Sequence, residues 1–239
     1  MPAENIFFIL VRPNFLGNIG SVARAMKNFG FENLRLVDPP QNYKEGEAKF
    51  MAVGAYDLLE RSQVYENLGD ALKDINIAIG TSSGRQREHP PAAIDQILSR
   101  VSLTGGNRIA MIFGSERDGL SRDEVDRCHH IVTIPTNESF PTLNIAQAVG
   151  VCAYELSKGT AASSEQSPVY TNGAEDDEFL ADVDALLQDI QFMRTFNRDS
   201  INTELRTLYQ KAQPTIREMD LLKSVLRKIN QRLKQSKVI

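Results

Sequence analysis

The chain has 239 residues, a formal net charge of −4, 41% hydrophobic and 24% charged residues, the profile of a globular protein with one large domain or one domain and an appendage. This composition excludes a disordered chain, a collagen-like fibre and a coiled-coil rod. The acidic balance means that any binding to nucleic acid needs a local basic patch.

Two cysteines, Cys128 and Cys152, support neither a disulfide framework nor a four-cysteine zinc site, so a reducing cytoplasm is the expected location. The apolar run Ile6–Val11 is too short for a signal-peptide core, and no stretch approaches the roughly 20 apolar residues that span a bilayer. Residues 7–11 read instead as a strand covered on both faces. Asn18 is placed to cap a helix whose apolar positions Ile19, Val22, Ala23, Met26 and Phe29 recur at helical spacing, with Gly30 as its stop signal. Leu34–Val37 reads as a second strand, residues 48–60 as a helix and residues 76–80 as a third strand. A helix over residues 91–100 and a strand at Ile109–Phe113 follow. A short helix at 122–128, a strand at Ile131–Ile134 and a helix at 143–156 complete the pattern. The alternation predicts an α/β domain over residues 1–158, a mostly parallel sheet with helices on both faces.

Residues 159–178 are rich in Ser, Ala, Gly and Thr and then acidic, and read as a linker. Residues 179–196 and 216–233 carry helical periodicity with a break near Pro214, so 179–239 is expected to be a helical extension. Between residues 217 and 237, Arg217, Lys223, Arg227, Lys228, Arg232, Lys234 and Lys237 outnumber Glu218 and Asp220, a local basic patch. Leu221, Leu222, Val225, Leu226, Ile229 and Leu233 are placed to dock one face while the cations point outward.

In an open α/β sheet, ligands lie beyond the carboxyl ends of the strands. The loops there (residues 12–20, 80–87, 113–120 and 134–144) are rich in glycine and hydroxyl residues, which lets backbone amides approach a ligand closely. No GxGxxG follows the first strand and no GxxxxGK[ST] occurs, which removes the dinucleotide and P-loop readings. His89, His129 and His130 lack metal-ligand spacing with the cysteines, so no metal is expected. Arg24 turns away from the apolar stripe of its helix. With Arg85 and Arg87 it is a candidate for a phosphate-binding rim. Glu116, between Gly114 and Gly119, is placed to stabilise a tight turn through backbone amides.

Three segments carry a resemblance: Asn18-Ile19-Gly20-Ser21-Val22-Ala23-Arg24-Ala25-Met26, Phe113-Gly114-Ser115-Glu116-Arg117-Asp118-Gly119-Leu120, and Ile134-Pro135 followed by Pro141-Thr142-Leu143-Asn144-Ile145-Ala146-Gln147-Ala148-Val149. In order and spacing they resemble the three motifs of the SPOUT RNA 2′-O-methyltransferases, and within them the branch that methylates cytidine or uridine 32 of the tRNA anticodon loop. The Gly80-Thr81-Ser82 loop and the helical extension point the same way. The resemblance implies a SPOUT-type, mostly parallel sheet with a C-terminal trefoil knot. It implies S-adenosyl-L-methionine held by Thr81, Ser82, Ser83, Gly114, Ile134, Pro141, Thr142 and Leu143. Arg24 and Thr142 are then catalytic, and Arg85, Arg87, Asn18, Glu116 and Asn144 face the RNA. The family commonly has serine where this chain has Thr142, which keeps the hydroxyl and adds a methyl group. The implied enzyme is a cytoplasmic homodimer whose tRNA site is completed across the interface, with no membrane and no metal. A guanidinium stays protonated, its pKa above about 12, so Arg24 is expected to anchor a phosphate and stabilise charge on the 2′-oxygen rather than act as a free base. The alternatives are a SPOUT methyltransferase acting on ribosomal RNA or the tRNA wobble ribose, and a non-catalytic RNA-binding protein that retains the fold.

Overall fold

The apolar run near the N-terminus forms β1 (Ile6–Val11), and all six of its residues are buried because helices cover the sheet on both faces. Successive residues of a strand point to opposite faces: Ile6, Phe8 and Leu10 join the core on one side and Phe7, Ile9 and Val11 the core on the other. The computed structural model describes residues 3–83, 92–100, 106–137, 139–158, 168–193 and 196–236. The other described strands are β2 (Asn33–Val37), β3 (Gln63–Tyr65), β4 (Ile77–Thr81), β5 (Ala92–Ala93), β6 (Ile109–Phe113) and β7 (His130–Thr133). They form one sheet in the order β3-β2-β1-β6-β4-β7-β5, and every pairing is parallel.

The order matters for function. Strands β1 to β3 step outward, and β4 begins on the other side of β1. Then β6 enters between β1 and β4, and β7 enters between β4 and β5. The carboxyl ends of β6, β4 and β7 therefore lie side by side, and the loops that follow them meet.

The first-domain helices are α1 (Leu16–Asn28), α2 (Gly46–Met51), α3 (Tyr56–Arg61), α4 (Leu68–Leu72), α5 (Ile94–Arg100), α6 (Arg122–Val125) and α7 (Ile145–Lys158). The stripe of α1 is buried at Ile19, Val22, Ala23 and Met26. The helix closes as expected at Gly30, whose φ is +78°. Gly30 N–H donates to Lys27 O and Phe31 N–H to Met26 O, each at 3.1 Å, the paired bonds of a Schellman stop. Asn18 does not cap α1. The N-cap is Phe15, which makes no side-chain cap bond, and Asn18 sits inside the first turn with its side chain turned to a distant partner. Residues 48–60 form two helices instead of one, because Gly54 in the intervening turn has a φ of +75°, which helical backbone excludes.

The extension consists of α8 (Gly173–Asp189), α9 (Arg198–Ala212) and α10 (Ile216–Ser236). Helix α8 starts inside the segment assigned to the linker, whose residues 159–167 lie outside the described residues. Asn172 caps it and closes a reciprocal box with Glu175. Gly173 N–H donates to Ile75 O at 3.1 Å, Ala174 N–H to Lys73 O at 3.0 Å and Asn76 Nδ2 to Tyr170 O at 2.8 Å. These bonds fasten the extension where β4 begins. Phe179, Leu186, Tyr209, Met219 and Leu226 form its own small core. The expected docking face of α10 is only partly realised. Leu226 is buried and Leu233 packs beside it, whereas Leu221, Leu222, Val225 and Ile229 are exposed. The packed stripe runs through Met219, Leu226 and Leu233, seven residues apart, and leaves the neighbouring stripe uncovered.

Gly20 is where α1 and α2 touch: a Cβ there would lie 2.1 Å from Ala48 O and 2.9 Å from Ala52 N. Gly20→Ala is expected to lower unfolding stability by about 1–3 kcal/mol, as overpacking does. Gly150→Ala, with nothing within 4 Å of the new Cβ, is expected to leave stability unchanged or slightly raised. Urea unfolding followed by circular dichroism checks both.

Candidate active site

The loops beyond β4, β6 and β7 enclose a cavity of about 330 Å³. Thr81, Ser82, Ser83, Gly114, Ile134, Pro141, Thr142 and Leu143, the residues the motif resemblance assigns to the cofactor, all line it, together with residues 115–120, Ile145 and Ala148. Thr81 Oγ1 donates to Ile112 O at 2.9 Å, which ties the end of β4 to β6. The 114–120 turn folds back on itself: Gly119 N–H donates to Ser115 O at 3.0 Å and Asp118 N–H to Ser115 Oγ at 3.1 Å. Gly114 has to be glycine there, because a Cβ would sit 2.1 Å from the carbonyl carbon of Gly119. The loop after β7 is held by Thr136 Oγ1, which donates to Pro141 O at 3.0 Å.

Three residues expected at the RNA form one network. Asn18 Nδ2 donates to Glu116 Oε1 at 2.8 Å, and Asn144 Nδ2 donates to Asn18 Oδ1 at 2.9 Å. Glu116 Oε2 also accepts from Asn14 N–H at 2.8 Å, so its carboxylate binds the start of α1 instead of only its own turn. A second clamp lies beside it. Arg12 makes a two-pronged ion pair with Glu124, and Glu124 in turn closes the capping box of α6 with Ser121.

Arg24 is exposed on α1. At 100° per residue it shares a face with Gly17 and Ser21, and it does not line the cavity. Arg85 and Arg87 lie outside the described residues. His129 is a structural group: its Nδ1 accepts from Ala78 N–H at 2.9 Å, and burial, with the charge of His130, lowers its pKa to about 3. Burial holds the Cys128 and Cys152 thiols at about 12, so both are inert.

A second groove, of about 530 Å³, adjoins the cavity and shares Glu116, Thr142, Leu143 and Ile145 with it. Thr142 therefore stands on the wall between the two spaces. Phe15 and Phe140 also line this groove. Sequence reasoning missed both, and the available signal was an aromatic residue in each of two loops that meet at the strand ends.

Partial burial pushes the Glu116 carboxyl upward, but hydrogen bonds from Asn18 and from backbone amides including those of Asn14 and Phe15 outweigh it, so its pKa is lowered from 4.5. A carboxylate with a depressed folded pKa contributes stability above its unfolded value, about 4.3. That contribution is lost as pH falls through the folded value. Glu116→Gln is therefore expected to destabilise the protein near neutrality, with the gap from wild type closing as pH falls below about 4. Thermal unfolding of both proteins from neutral pH downward reads the difference.

The SpoU rRNA methylase family model matches residues 5–154, from β1 into α7. The tRNA (cytidine/uridine-2′-O-)-methyltransferase TrmJ of Salmonella typhimurium is 34% identical over 242 residues, covering 97% of this chain and 98% of that protein. The Shigella dysenteriae protein of the same name is 32% identical over 98% of this chain and 99% of that protein. The crystal structure of TrmJ from Z. mobilis ZM4 superposes with a TM-score of 0.81 at 30% identity, covering 94% of this chain and 98% of that one. The parallel sheet is thus the SPOUT-type α/β fold that the motifs imply, and the chain belongs to the SpoU methylase family.

Proposed function

We propose that the protein transfers a methyl group from S-adenosyl-L-methionine to the ribose 2′-hydroxyl of a cytidine or uridine in the tRNA anticodon loop, at position 32. The observation that carries this reading is the pair of adjoining spaces with Thr142 on their common wall, one for the donor and one for the acceptor. Full-length likeness to relatives that bear this activity in their names supports it.

The residues present fit the donor. About 330 Å³ falls within the roughly 300–1,000 Å³ range of small-molecule sites. Thr81, Ser82 and Ser83 would offer polar contact to a nucleoside, Ile134 and Leu143 would supply apolar contact for a base, and the carboxylates of Glu116 and Asp118 would suit a cationic ligand. When bound, the donor supplies a methyl group already activated on a sulfonium. The chain's own task is positioning and charge stabilisation. The Thr142 hydroxyl orients the acceptor oxygen at the wall, and the Glu116–Asn18–Asn144 network holds the loops that form it. Arg24 lies outside the cavity of its own protomer, so in this reading it serves the site across a homodimer interface, where it pairs with a phosphate and with charge growing on the 2′-oxygen. Residues 1–158 carry the chemistry, with their C-terminal part threaded into a trefoil knot. The extension over 179–239 presents exposed cations such as Arg217, Lys228 and Lys234 on α10 to tRNA. The setting is the cytoplasm.

Incubating unmodified tRNA with labelled donor and mapping the product nucleotide tests the proposal. Label at position 32 is expected. Label at the wobble ribose or only in ribosomal RNA favours a different site, and no transfer to any RNA overturns the reading. Arg24→Lys keeps the charge and loses the two-pronged fork, and is expected to lower kcat roughly 100-fold with donor affinity unchanged in calorimetry. Reversing Arg217, Lys228 and Lys234 to glutamate is expected to raise KM for tRNA with a flattened salt dependence, again without change in donor affinity.

A further inference from the structure

We infer that Arg117 and Asp118 form a clamp for the amino-acid end of the donor, the guanidinium taking its carboxylate and the Asp118 carboxylate taking its ammonium. The inference rests on the proposed function and adds which end of the donor lies at the cavity mouth and what holds it. Among the described residues that line the cavity, the charged ones are Glu116, Arg117 and Asp118, and all sit on the turn that follows β6. Glu116 is spent on the fold: its oxygens accept from Asn14 N–H and Asn18 Nδ2, each at 2.8 Å. Arg117 and Asp118 are exposed, and among the described residues their side chains enter no hydrogen bond or ion pair. Arg12 feels the charge of Asp118, but its guanidinium is paired with Glu124. One uncommitted cation and one uncommitted anion thus stand side by side on the rim, the complement of a zwitterion.

The turn presents the two side chains from a fixed backbone. Ser115 is buried, and its Oγ accepts from Asp118 N–H at 3.1 Å, while Gly119 N–H closes the turn on Ser115 O at 3.0 Å. The wall behind has the opposite character: Phe113, Leu120 and Ile145 line the same cavity and are buried. A charged amino-acid end loses its hydration against such a wall, whereas an adenine gains from it. The donor therefore lies with its base inward and its zwitterion at the exposed rim. Exposed ion pairs are individually weak, so the clamp sets the donor's direction in the cavity more than its total affinity. The demethylated product keeps the same amino-acid end, and the clamp holds it as it holds the donor.

Calorimetry on the full-length protein tests the clamp with S-adenosyl-L-homocysteine, with methylthioadenosine, which lacks the amino-acid end, and with decarboxylated S-adenosyl-L-methionine, which lacks only the carboxylate. Asp118→Asn is expected to weaken S-adenosyl-L-homocysteine and the decarboxylated donor roughly 5-fold and to leave methylthioadenosine unchanged. Arg117→Gln is expected to weaken S-adenosyl-L-homocysteine by a similar factor and to leave the other two ligands unchanged. Methylthioadenosine doubles as the folding control, because it occupies the nucleoside part of the same cavity. Equal loss of methylthioadenosine in either variant overturns the clamp, and so does unchanged affinity for S-adenosyl-L-homocysteine. Loss of the decarboxylated donor in Arg117→Gln overturns the assignment of the guanidinium to the carboxylate. A wild type that binds none of the three ligands refutes the donor cavity of the proposed function itself. A wild type that binds them with variants indistinguishable from it refutes the clamp alone.

Discussion

A parallel sheet built in simple outward steps separates its strand ends, and no two late loops have to meet. Here β6 and β7 enter beside β4 on either side of it, so three consecutive strand ends become neighbours and the loops after Thr81, Phe113 and Thr133 share one space. The insertion needs close approach at the backbone level. Gly80 has Cys128, Ile131 and Leu120 side chains within 2.8 to 3.1 Å of where a Cβ would be, and Gly114 sits against Gly119 and Leu120. The glycines that make the loops attractive as ligand sites are thus needed first for the sheet to close around them.

Two carboxylates keep those loops in register with the start of the chain. Glu116 binds the amide of Asn14 and the side chain of Asn18, and Glu124 binds Arg12. The segment between β1 and α1 is therefore pinned on both sides of the 114–121 turn. Arg12 has a φ of +48°, a left-handed conformation that costs a non-glycine residue about 1–2 kcal/mol. Its backbone N–H bond to Val37 O at 2.8 Å and the Glu124 pair hold it there. Burial pushes Glu124 upward and the Arg12 and Ser121 bonds more than reverse that, so its carboxyl lies below the ordinary range. Both carboxylates lie below the ordinary range, so both clamps are in place at neutral pH, where the proposed reaction runs.

What the sequence made legible follows from how local each signal is. Strands β1 and β6 are unbroken apolar runs and were readable as such, and β2 was readable from Leu34, Leu36 and Val37 around Arg35, while β3 and β5, three and two residues long, are too short for any periodicity to register. Helix α9 was missed although Ile201, Leu205, Tyr209 and Ala212 recur every three or four residues, because a thin stripe in a mostly polar segment is a faint signal. Asn18 reads locally as a helix cap, but its partner Glu116 is 98 residues away, and tertiary bonding overrode the local preference. The motif order predicted which residues share the cavity. Phe15 and Phe140 belong to no motif period and were found only when the loops met in space.

Within one protomer the extension is fastened at Ile75 and Asn76, where β4 begins, whereas Thr81, which ends β4, lines the cavity. A strand of five residues advances about 3.3 Å per residue, so the anchor of the basic helix and the chemistry are roughly 15 Å apart along that strand alone. Arg24, too, stands outside the cavity of its own chain. Both facts have the same consequence for the proposed reaction: an RNA loop seated against Thr142 lies away from the root of the patch meant to hold the rest of the tRNA. A homodimer that sets α1 of one protomer against the cavity of the other answers both at once, by delivering a guanidinium to the acceptor and by extending the basic surface beyond the end of a single sheet. In this reading the dimer is required by catalysis, and a variant that is folded, binds the donor and is monomeric is inactive.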